Sequence, residues 1–139
     1  MKLKLRRGLT VGAAAVATLA FAASPAFAGN VYAYVPGAQG WGDFSYNSRT
    51  RAYSITLSAA DIVADGYHVR VRAQSEDPLY KITSYPWREN HGGNGTRLNW
   101  ATSLTDTNGI WAMRIQVCTF TGDTPVKCDT SPWDGNPYY

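Results

Sequence analysis

The sequence predicts an all-β fold, most simply a small antiparallel β-sandwich of the immunoglobulin-like kind, with a small closed β-barrel as the alternative. Apolar and polar residues alternate with a period of two in several stretches, which is typical of strands with one buried face. Turn-forming dipeptides separate these stretches, and helical patterns are almost absent. The two cysteines of the chain add one predicted disulfide to this fold.

The first 28 residues have the composition of a secretory signal peptide. A basic start, Met1–Arg7, precedes the uncharged apolar stretch Leu9–Ala23, and Ala26–Ala28 places small residues before a cleavage point. We therefore predict a signal peptide at 1–28 and a single domain at 29–139. No later stretch is long and apolar enough to span a membrane, so we predict a secreted, extracellular protein.

The basic character of the whole chain comes from this leader. The full chain has 13 Lys and Arg against 10 Asp and Glu, and the leader holds four of the basic residues and none of the acidic ones. The predicted domain therefore carries nine basic residues (13 − 4) against ten acidic residues, a net charge of −1. This balance argues against a nucleic-acid partner, which would require a strongly positive surface.

Four stretches have the alternation expected of strands: Val31–Val35, Tyr53–Leu57, Tyr67–Gln74 and Ile110–Phe120. The last two follow Asp65-Gly66 and Asn108-Gly109, dipeptides that accept positive φ in tight turns. Tyr53, Tyr67 and Trp111 share the period of the apolar faces, so we expect them to be buried.

The remaining segments are predicted to be loops, apart from a single helical turn at Ser58–Ala64. The longest is a surface loop at Tyr85–Gly95, which lies within a stretch, Glu76–Thr96, that is rich in Pro, Gly, Asn and aromatic residues. Long loops in compact domains often carry function, so this segment is the first place to look for a binding site.

Cys118 and Cys128 are predicted to form the disulfide, because two cysteines in an oxidising compartment most simply pair with each other. The sequence has no CxxC motif and no nearby histidine that would favour a metal site instead. Thr121–Pro125 has the composition of a turn, so the bond would staple the last hairpin, or the strand after it, to its neighbour.

Asp61–Val71 combines an aspartate, an Ala-Asp-Gly turn and an alternating strand. A Gly-x-Gly loop follows at Gly93–Gly95, and a late strand ends in Val117-Cys118, ten residues before the second cysteine. Over Asp61–Cys128 these features resemble small secreted proteins of high-GC Gram-positive bacteria, a group whose functions are mostly uncharacterised. The resemblance implies a β-sandwich in a bacterial, extracellular setting and implies no catalytic residue.

No motif in the sequence indicates catalysis. His68 lies on the polar face of a predicted strand, and there is no GxSxG nucleophile motif. His91, with Glu89 two residues before it, is a candidate acid–base pair, but an ordinary exposed loop histidine is the simpler interpretation. We therefore predict that the protein is not an enzyme.

Aspartate-rich turns raise the question of calcium, which prefers hard oxygen ligands. Asp106–Gly109 imitates part of a calcium loop but lacks its third ligand and distal glutamate, and Asp61 and Asp65 flank another turn. Turn formation by aspartate explains each of them. We predict no metal and no cofactor, with a structural calcium ion as the alternative that these turns leave open.

Aromatic residues are unusually abundant, since 16 of the 18 in the chain fall in the predicted domain. Some stand beside Gly, Pro or charged residues in predicted loops, where rings can stack on sugars or anchor a protein interface. Capping of the open ends of a small sandwich is the competing explanation. The predicted binding residues are Trp41, Tyr85, Trp87, Arg88, His91 and Trp133.

These points predict a secreted, monomeric binding protein that recognises carbohydrate or cell envelope through loop aromatics. The alternative is a protein–protein effector, such as an inhibitor of a secreted enzyme or a toxin-like factor, in which Trp87-Arg88 inserts into the partner. A small hydrolase that uses His91 and Glu89 is the third hypothesis.

Overall fold

The computed structural model describes residues 28–139, which form ten β-strands and no helix. Within this range no helix is therefore long and apolar enough to cross a membrane. The predicted signal peptide at 1–28 lies outside the described residues, except for Ala28 at the start of the first strand. The strands are β1 Ala28–Val35, β2 Ala38–Ser48, β3 Arg51–Asp61, β4 His68–Glu76, β5 Ile82–Ser84, β6 Arg88–Asn90, β7 Arg97–Thr105, β8 Ala112–Thr121, β9 Thr124–Thr130 and β10 Asp134–Gly135.

The strands form two antiparallel sheets that pack face to face. The four-stranded sheet has the order β1-β2-β3-β7. The six-stranded sheet has the order β10-β8-β4-β5, with β6 also paired to β4 and β9 also paired to β8. The predicted all-β sandwich is confirmed.

The core lies between the sheets and is built from alternate side chains of each strand. Because successive side chains of a strand point to opposite faces, Val31, Ala33 and Val35 of β1 are buried while Tyr32 and Tyr34 are exposed. Each fully buried aliphatic or phenyl side chain contributes about 1.5–3 kcal/mol of hydrophobic stabilisation. The largest buried apolar side chains are Phe44, Ile55, Leu57, Val69, Val71, Ile110, Met113, Ile115 and Val117.

Strand β2 was not predicted, because its glycines hide its alternation. A Cβ at Gly42 would lie 2.6 Å from Cγ2 of Ile115, and a Cβ at Gly40 would lie 3.0 Å from Cβ of Val117. The backbone of β2 therefore approaches β8 closely, which is a usual reason for glycine inside a strand. Trp41 lies between these glycines in the middle of β2, so its predicted loop position is wrong.

Two other predicted segments are corrected by the sheet pairing. Ser58–Ala64 does not form a helical turn, because Ser58–Asp61 continues β3 and pairs with β2, and up to Ala60 also with β7. Pairing on both sides satisfies the backbone there and overrides the weak helical propensity of the alanines. Tyr85–Gly95 is not one continuous loop, because β6 lies within it and pairs with β4. Strand β5, just before Tyr85, also pairs with β4.

Three aromatic residues predicted to be buried are exposed. Tyr53 is 45% exposed, since a register shift between Ala52 and Ile55 interrupts the alternation of β3. Tyr67 is 38% exposed and precedes β4 in the turn. Trp111 is 43% exposed because it precedes β8, where it packs against Tyr139 instead of the core.

The disulfide between Cys118 and Cys128 is confirmed, and it staples the last hairpin. The two residues are directly opposite each other on β8 and β9, with Cα atoms 4.2 Å apart. Closing a loop of about ten residues stabilises the fold by roughly 3 kcal/mol on the chain-entropy model.

The close approach of the sheets yields a prediction for Gly42. We expect Gly42→Ala to lower the free energy of unfolding by about 1–3 kcal/mol, because the added methyl group overpacks the contact with Ile115. Urea denaturation of the purified protein measures this change. Gly135→Ala is the matched control, since a Cβ at Gly135 meets no atom within 4 Å. Equal losses in the two variants would contradict the explanation.

Candidate functional site

The six predicted binding residues are distributed over three places in the fold. Trp87, His91 and Trp133 lie on the six-stranded sheet or at its edge, and Trp41 lies on the outer face of the four-stranded sheet. Tyr85 and Arg88 line a groove of about 150 Å³ at the open edge between the sheets. The six residues therefore do not form one site but lie on three separate surfaces.

Tyr85 is held by contacts inside the protein. Its hydroxyl group lies 2.8 Å from the Ser75 hydroxyl, and its ring packs against the core. Burial raises the pKa of the Tyr85 hydroxyl above its ordinary value. This side chain thus forms one wall of the groove and is held there by the core and by Ser75.

Trp87 packs under an arginine on the outer face of the six-stranded sheet. The guanidinium carbon of Arg72 lies 4.3 Å from the Trp87 ring centroid, and Arg72 Nε–H donates to Gln116 Oε1 at 2.8 Å. The edge of the Trp87 ring also meets Phe120, with centroids 5.1 Å apart. The ring is half-buried, and cation–π attraction of about 0.5–2 kcal/mol holds the guanidinium over it.

Trp133 has an equivalent arrangement on the same outer face, further along the β4–β8 pair. The guanidinium carbon of Arg114 lies 4.3 Å from the Trp133 ring centroid, and Arg114 Nε–H donates to Gln74 Oε1 at 2.8 Å. Because Arg72 faces Gln116 and Gln74 faces Arg114, the local two-fold symmetry of the β4–β8 pair relates the two Trp–Arg–Gln sets. Both tryptophans thus pack as parts of one ordered layer.

A second cluster joins the two histidines to the ends of β4 and β6. Arg70 pairs with Glu89 and Val69 with Asn90, so the next position brings His91 beside His68. The two imidazole rings stack with centroids 4.2 Å apart, and His91 Nε2 lies 2.8 Å from Glu89 Oε2. The acid–base pair considered from the sequence therefore exists as a hydrogen bond.

Arg70 connects this cluster to the neighbouring hairpin. Its Nε–H donates to His68 Nε2 at 2.9 Å, and its Nη1 lies 3.1 Å from Glu89 Oε1. Its Nη2 donates to Asp123 Oδ1 at 2.8 Å and to the Gly122 carbonyl oxygen at 2.9 Å. The buried guanidinium thus bridges β4, β6 and the turn between β8 and β9.

These contacts shift the pKa values of the cluster. Burial, followed by the neighbouring His91 and Arg70, lowers the pKa of His68. The hydrogen bond with His91 lowers the pKa of Glu89, and the hydrogen bond from Arg70 lowers that of Asp123. Both carboxylates are therefore ionised and His68 is neutral at neutral pH.

The turn that carries His91 is fixed by the fully buried Asn90. Asn90 Nδ2 donates to the carbonyl oxygens of Ala59 and Thr96, at 3.0 and 3.1 Å. Its Oδ1 accepts from the Gly92 backbone N–H at 2.9 Å. These bonds replace the sheet pairing that ends at Asn90 and set the position of the following histidine.

An open cleft of about 520 Å³ lies beside the histidines, between the turn after β3 and the turn after β6. Within residues 28–139, no serine, threonine or cysteine side chain donates a hydrogen bond to either imidazole. In this range His68, Glu89 and His91 form a group of three side chains whose possible metal-ligand atoms all lie within 4.8 Å of one another. Polar and charged residues of the cleft are Asp61, Asp65, Tyr67, His68, His91 and Asn94.

The outer face of the four-stranded sheet carries a group of neighbouring aromatic rings, which we call the aromatic platform: Tyr32, Tyr34 and Trp41. Tyr32 and Tyr34 are 43% and 48% exposed. Tyr32 is directly opposite Trp41, with ring centroids 5.5 Å apart. The Arg97 guanidinium carbon lies 3.9 Å from the Trp41 ring centroid and closes one side of the platform.

Small and polar side chains surround these rings. Gln39 of β2 is directly opposite Tyr34 of β1. On β3, Ser58 is opposite Trp41 and Ala60 is opposite Gln39, so the side chains beside the Trp41 ring are small. Asn99 of β7 accepts a hydrogen bond from the Ser58 hydroxyl at 2.5 Å. The rings therefore stand beside amide and guanidinium groups that can reach a ligand on the same face.

Tyr32 and Tyr34 were not among the predicted binding residues, although the sequence pattern shows that they point outward. Val31, Ala33 and Val35 were correctly placed as a strand, and alternation alone turns the two tyrosines outward. Aromatic residues are common in strands, so the outward rings were taken as strand formers. Their position opposite Trp41 depends on β2, which the sequence pattern did not reveal.

Comparison of the chain with protein-family models, with curated proteins and with solved structures found no match.

The lowered pKa of His68 predicts a loss of stability in mild acid. The unfolded chain takes up a proton at His68 near pH 6.5, whereas the folded protein takes it up at lower pH. The free energy of unfolding should therefore fall as the pH drops from about 7 through the lowered pKa. The charged and titratable groups that face His68 are His91, Glu89, Arg70 and Asp123.

Urea denaturation between about pH 7.5 and 5 in metal-free buffer tests this expectation. In His68→Gln the decline across this window should be smaller, because the titrating group is gone. Glu89 and Asp123 act at lower pH, since their pKa values lie below the ordinary carboxyl range. An unchanged pH dependence in His68→Gln would show that another group controls it.

Proposed function

We propose that the protein is a secreted, non-enzymatic binding module that recognises polysaccharide of a bacterial cell envelope. The observation that carries the proposal is the aromatic platform, in which three rings lie on one outer sheet face beside polar groups. The module is a monomer that acts outside the cell, without cofactor. The predicted leader and the Cys118–Cys128 disulfide support this location.

The platform has the chemistry that a sugar chain requires. Tyrosine and tryptophan rings offer large apolar faces at low entropic cost, while their hydroxyl and indole groups remain available for hydrogen bonds. Gln39, Asn99 and Arg97 lie beside the rings and can bond to sugar hydroxyl groups. An open sheet face suits an extended polymer better than a small molecule, which generally requires a concave pocket.

The arrangement of Trp87 favours this proposal over the enzyme-inhibitor hypothesis. An inserting loop would present Trp87-Arg88 away from the body of the protein. Instead, the Trp87 ring packs against Arg72 and Phe120 on the sheet, and β6 begins at Arg88. The segment is thus folded along the sheet edge and presents no protruding anchor.

The hydrolase hypothesis has one observation in its favour, because His91 and Glu89 are hydrogen-bonded at the edge of a cleft. In the described part of the chain, however, no hydroxyl or thiol nucleophile bonds to either imidazole. Glu89 is also shared with the Arg70 guanidinium, which weakens it as a base. These contacts suit a structural cluster better than acid–base catalysis.

Binding to insoluble polysaccharides tests the proposal. We expect the purified protein to bind one or more of cellulose, chitin, peptidoglycan and whole cell walls. Tyr32→Ala and Trp41→Ala should each weaken binding about tenfold, since truncation of a central aromatic anchor costs roughly 1–2 kcal/mol. The measurement is the bound fraction after sedimentation, over a range of protein concentrations.

Trp111→Ala is the matched control, because it removes another half-exposed tryptophan that packs on Tyr139 away from the platform. Its binding should equal that of the unchanged protein. Loss of binding in Trp111→Ala alone would place the contact elsewhere. Absence of binding to all four materials would refute the carbohydrate proposal and direct attention to a protein target.

A further inference from the structure

We propose that His68, Glu89 and His91 form a binding site for one divalent transition-metal ion of the Zn²⁺, Ni²⁺ and Cu²⁺ class. This site lies on the six-stranded sheet and is independent of the aromatic platform. Its three side chains come from β4, from β6 and from the residue after β6. Their possible ligand atoms all lie within 4.8 Å of one another.

The sheet itself brings the three side chains together. Glu89 and His91 are two residues apart, so the period of a strand places them on the same face. The antiparallel register between β4 and β6 then places His68 next to His91. Side chains that are direct cross-strand neighbours lie about 5 Å apart at Cβ, close enough for both rings to reach one ion.

The present separations are near those of a metal centre. Around a tetrahedral ion with bonds of about 2.0–2.1 Å, neighbouring ligand atoms lie roughly 3.3 Å apart. Glu89 Oε2 and His91 Nε2 are 2.8 Å apart, and the His68 nitrogen lies within 4.8 Å of both ligand atoms. The two imidazole rings are stacked, so they would have to rotate about their side-chain bonds for their nitrogens to converge on one ion, while the strands stay in place.

Arg70 both competes with the ion and prepares the site. A neutral imidazole has a single lone pair, and the lone pair on His68 Nε2 accepts from Arg70 Nε–H. An ion bound to that nitrogen would replace this hydrogen bond, and an ion bound to Glu89 Oε2 and His91 Nε2 would also replace the hydrogen bond between those two atoms and release its proton. The other two guanidinium nitrogens would remain bonded to their partners, Nη1 to Glu89 and Nη2 to Asp123 and the Gly122 carbonyl oxygen. The bond to Glu89 orients the carboxylate, as outer partners of metal ligands commonly do.

The charge of the cluster favours a cation. Arg70 contributes one positive charge and Glu89 and Asp123 contribute two negative charges, so these three groups together carry a net charge of −1. The net charge of −1 attracts a divalent ion despite the nearby guanidinium. The side chains of His91 and Glu89 are 60% and 40% exposed, so an ion can enter from solvent.

The ligand types select the class of ion. Two imidazole nitrogens suit zinc, nickel and copper, whereas calcium and magnesium prefer all-oxygen sites. Three protein ligands leave at least one coordination position open. Because His68 and His91 also line the cleft, that position lies where solvent has access.

Isothermal titration calorimetry tests the proposal. The full chain is prepared without a histidine tag, treated with EDTA, dialysed, and titrated with Zn²⁺, Ni²⁺, Cu²⁺ and Ca²⁺. We expect one transition-metal ion per chain and no saturable binding of Ca²⁺. His68→Ala, Glu89→Gln and His91→Ala should each weaken binding at least tenfold, because each removes one ligand.

Glu76→Gln is the matched control, since it neutralises a glutamate of β4 outside the cluster and should leave the affinity unchanged. Electron paramagnetic resonance of bound Cu²⁺ provides a second readout, in which His91→Ala should lose the coupling of one nitrogen. Urea unfolding of each variant verifies that it is folded. Unchanged binding in the folded His68→Ala, His91→Ala double variant, or no binding by the unchanged protein, would overturn the proposal.

Discussion

The close contact between the two sheets at β2 and β8 determines most of this structure. Gly40 and Gly42 have no side chain, and Ile115 and Val117 fill the space that a Cβ would occupy. At this separation the inward residues of β1 and β3 share one core with those of β4 and β8. The same alternation turns Trp41 outward between the two glycines. The requirement for glycine inside the sandwich thus helps to form the platform on its surface.

The strands with clear alternation were predictable because their pattern is local. Val31–Val35 and most of Tyr67–Gln74 match β1 and β4, and the pairing of Cys118 with Cys128 followed from compartment and count. Strand β2 was not predictable in the same way. Its glycines are explained by Ile115 and Val117, about 75 residues later in the chain, and no local pattern contains that information.

The candidate sites show the same limit. The His91–Glu89 pair was visible as a two-residue spacing, but His68 joins it only through the register of β4 and β6. Trp87 and Trp133 were correctly placed outside regular strands, yet their partners Arg72 and Arg114 are on the central strands of the sheet. The sequence therefore indicated candidate residues, whereas the register of the strands determines which of their side chains are in contact.

The two outer faces differ because arginine is distributed unevenly between them. On the six-stranded sheet, three guanidinium groups lie against aromatic rings, those of Arg70, Arg72 and Arg114. Each of these cation–π pairs stabilises the fold by about 0.5–2 kcal/mol. The ring faces that the guanidinium groups cover are therefore not exposed to solvent. On the four-stranded sheet Trp41 has such a partner in Arg97, whereas Tyr32 and Tyr34 are exposed. The arginines thus cover rings on the outer face of the six-stranded sheet, while Tyr32 and Tyr34 stay exposed on the outer face of the four-stranded sheet.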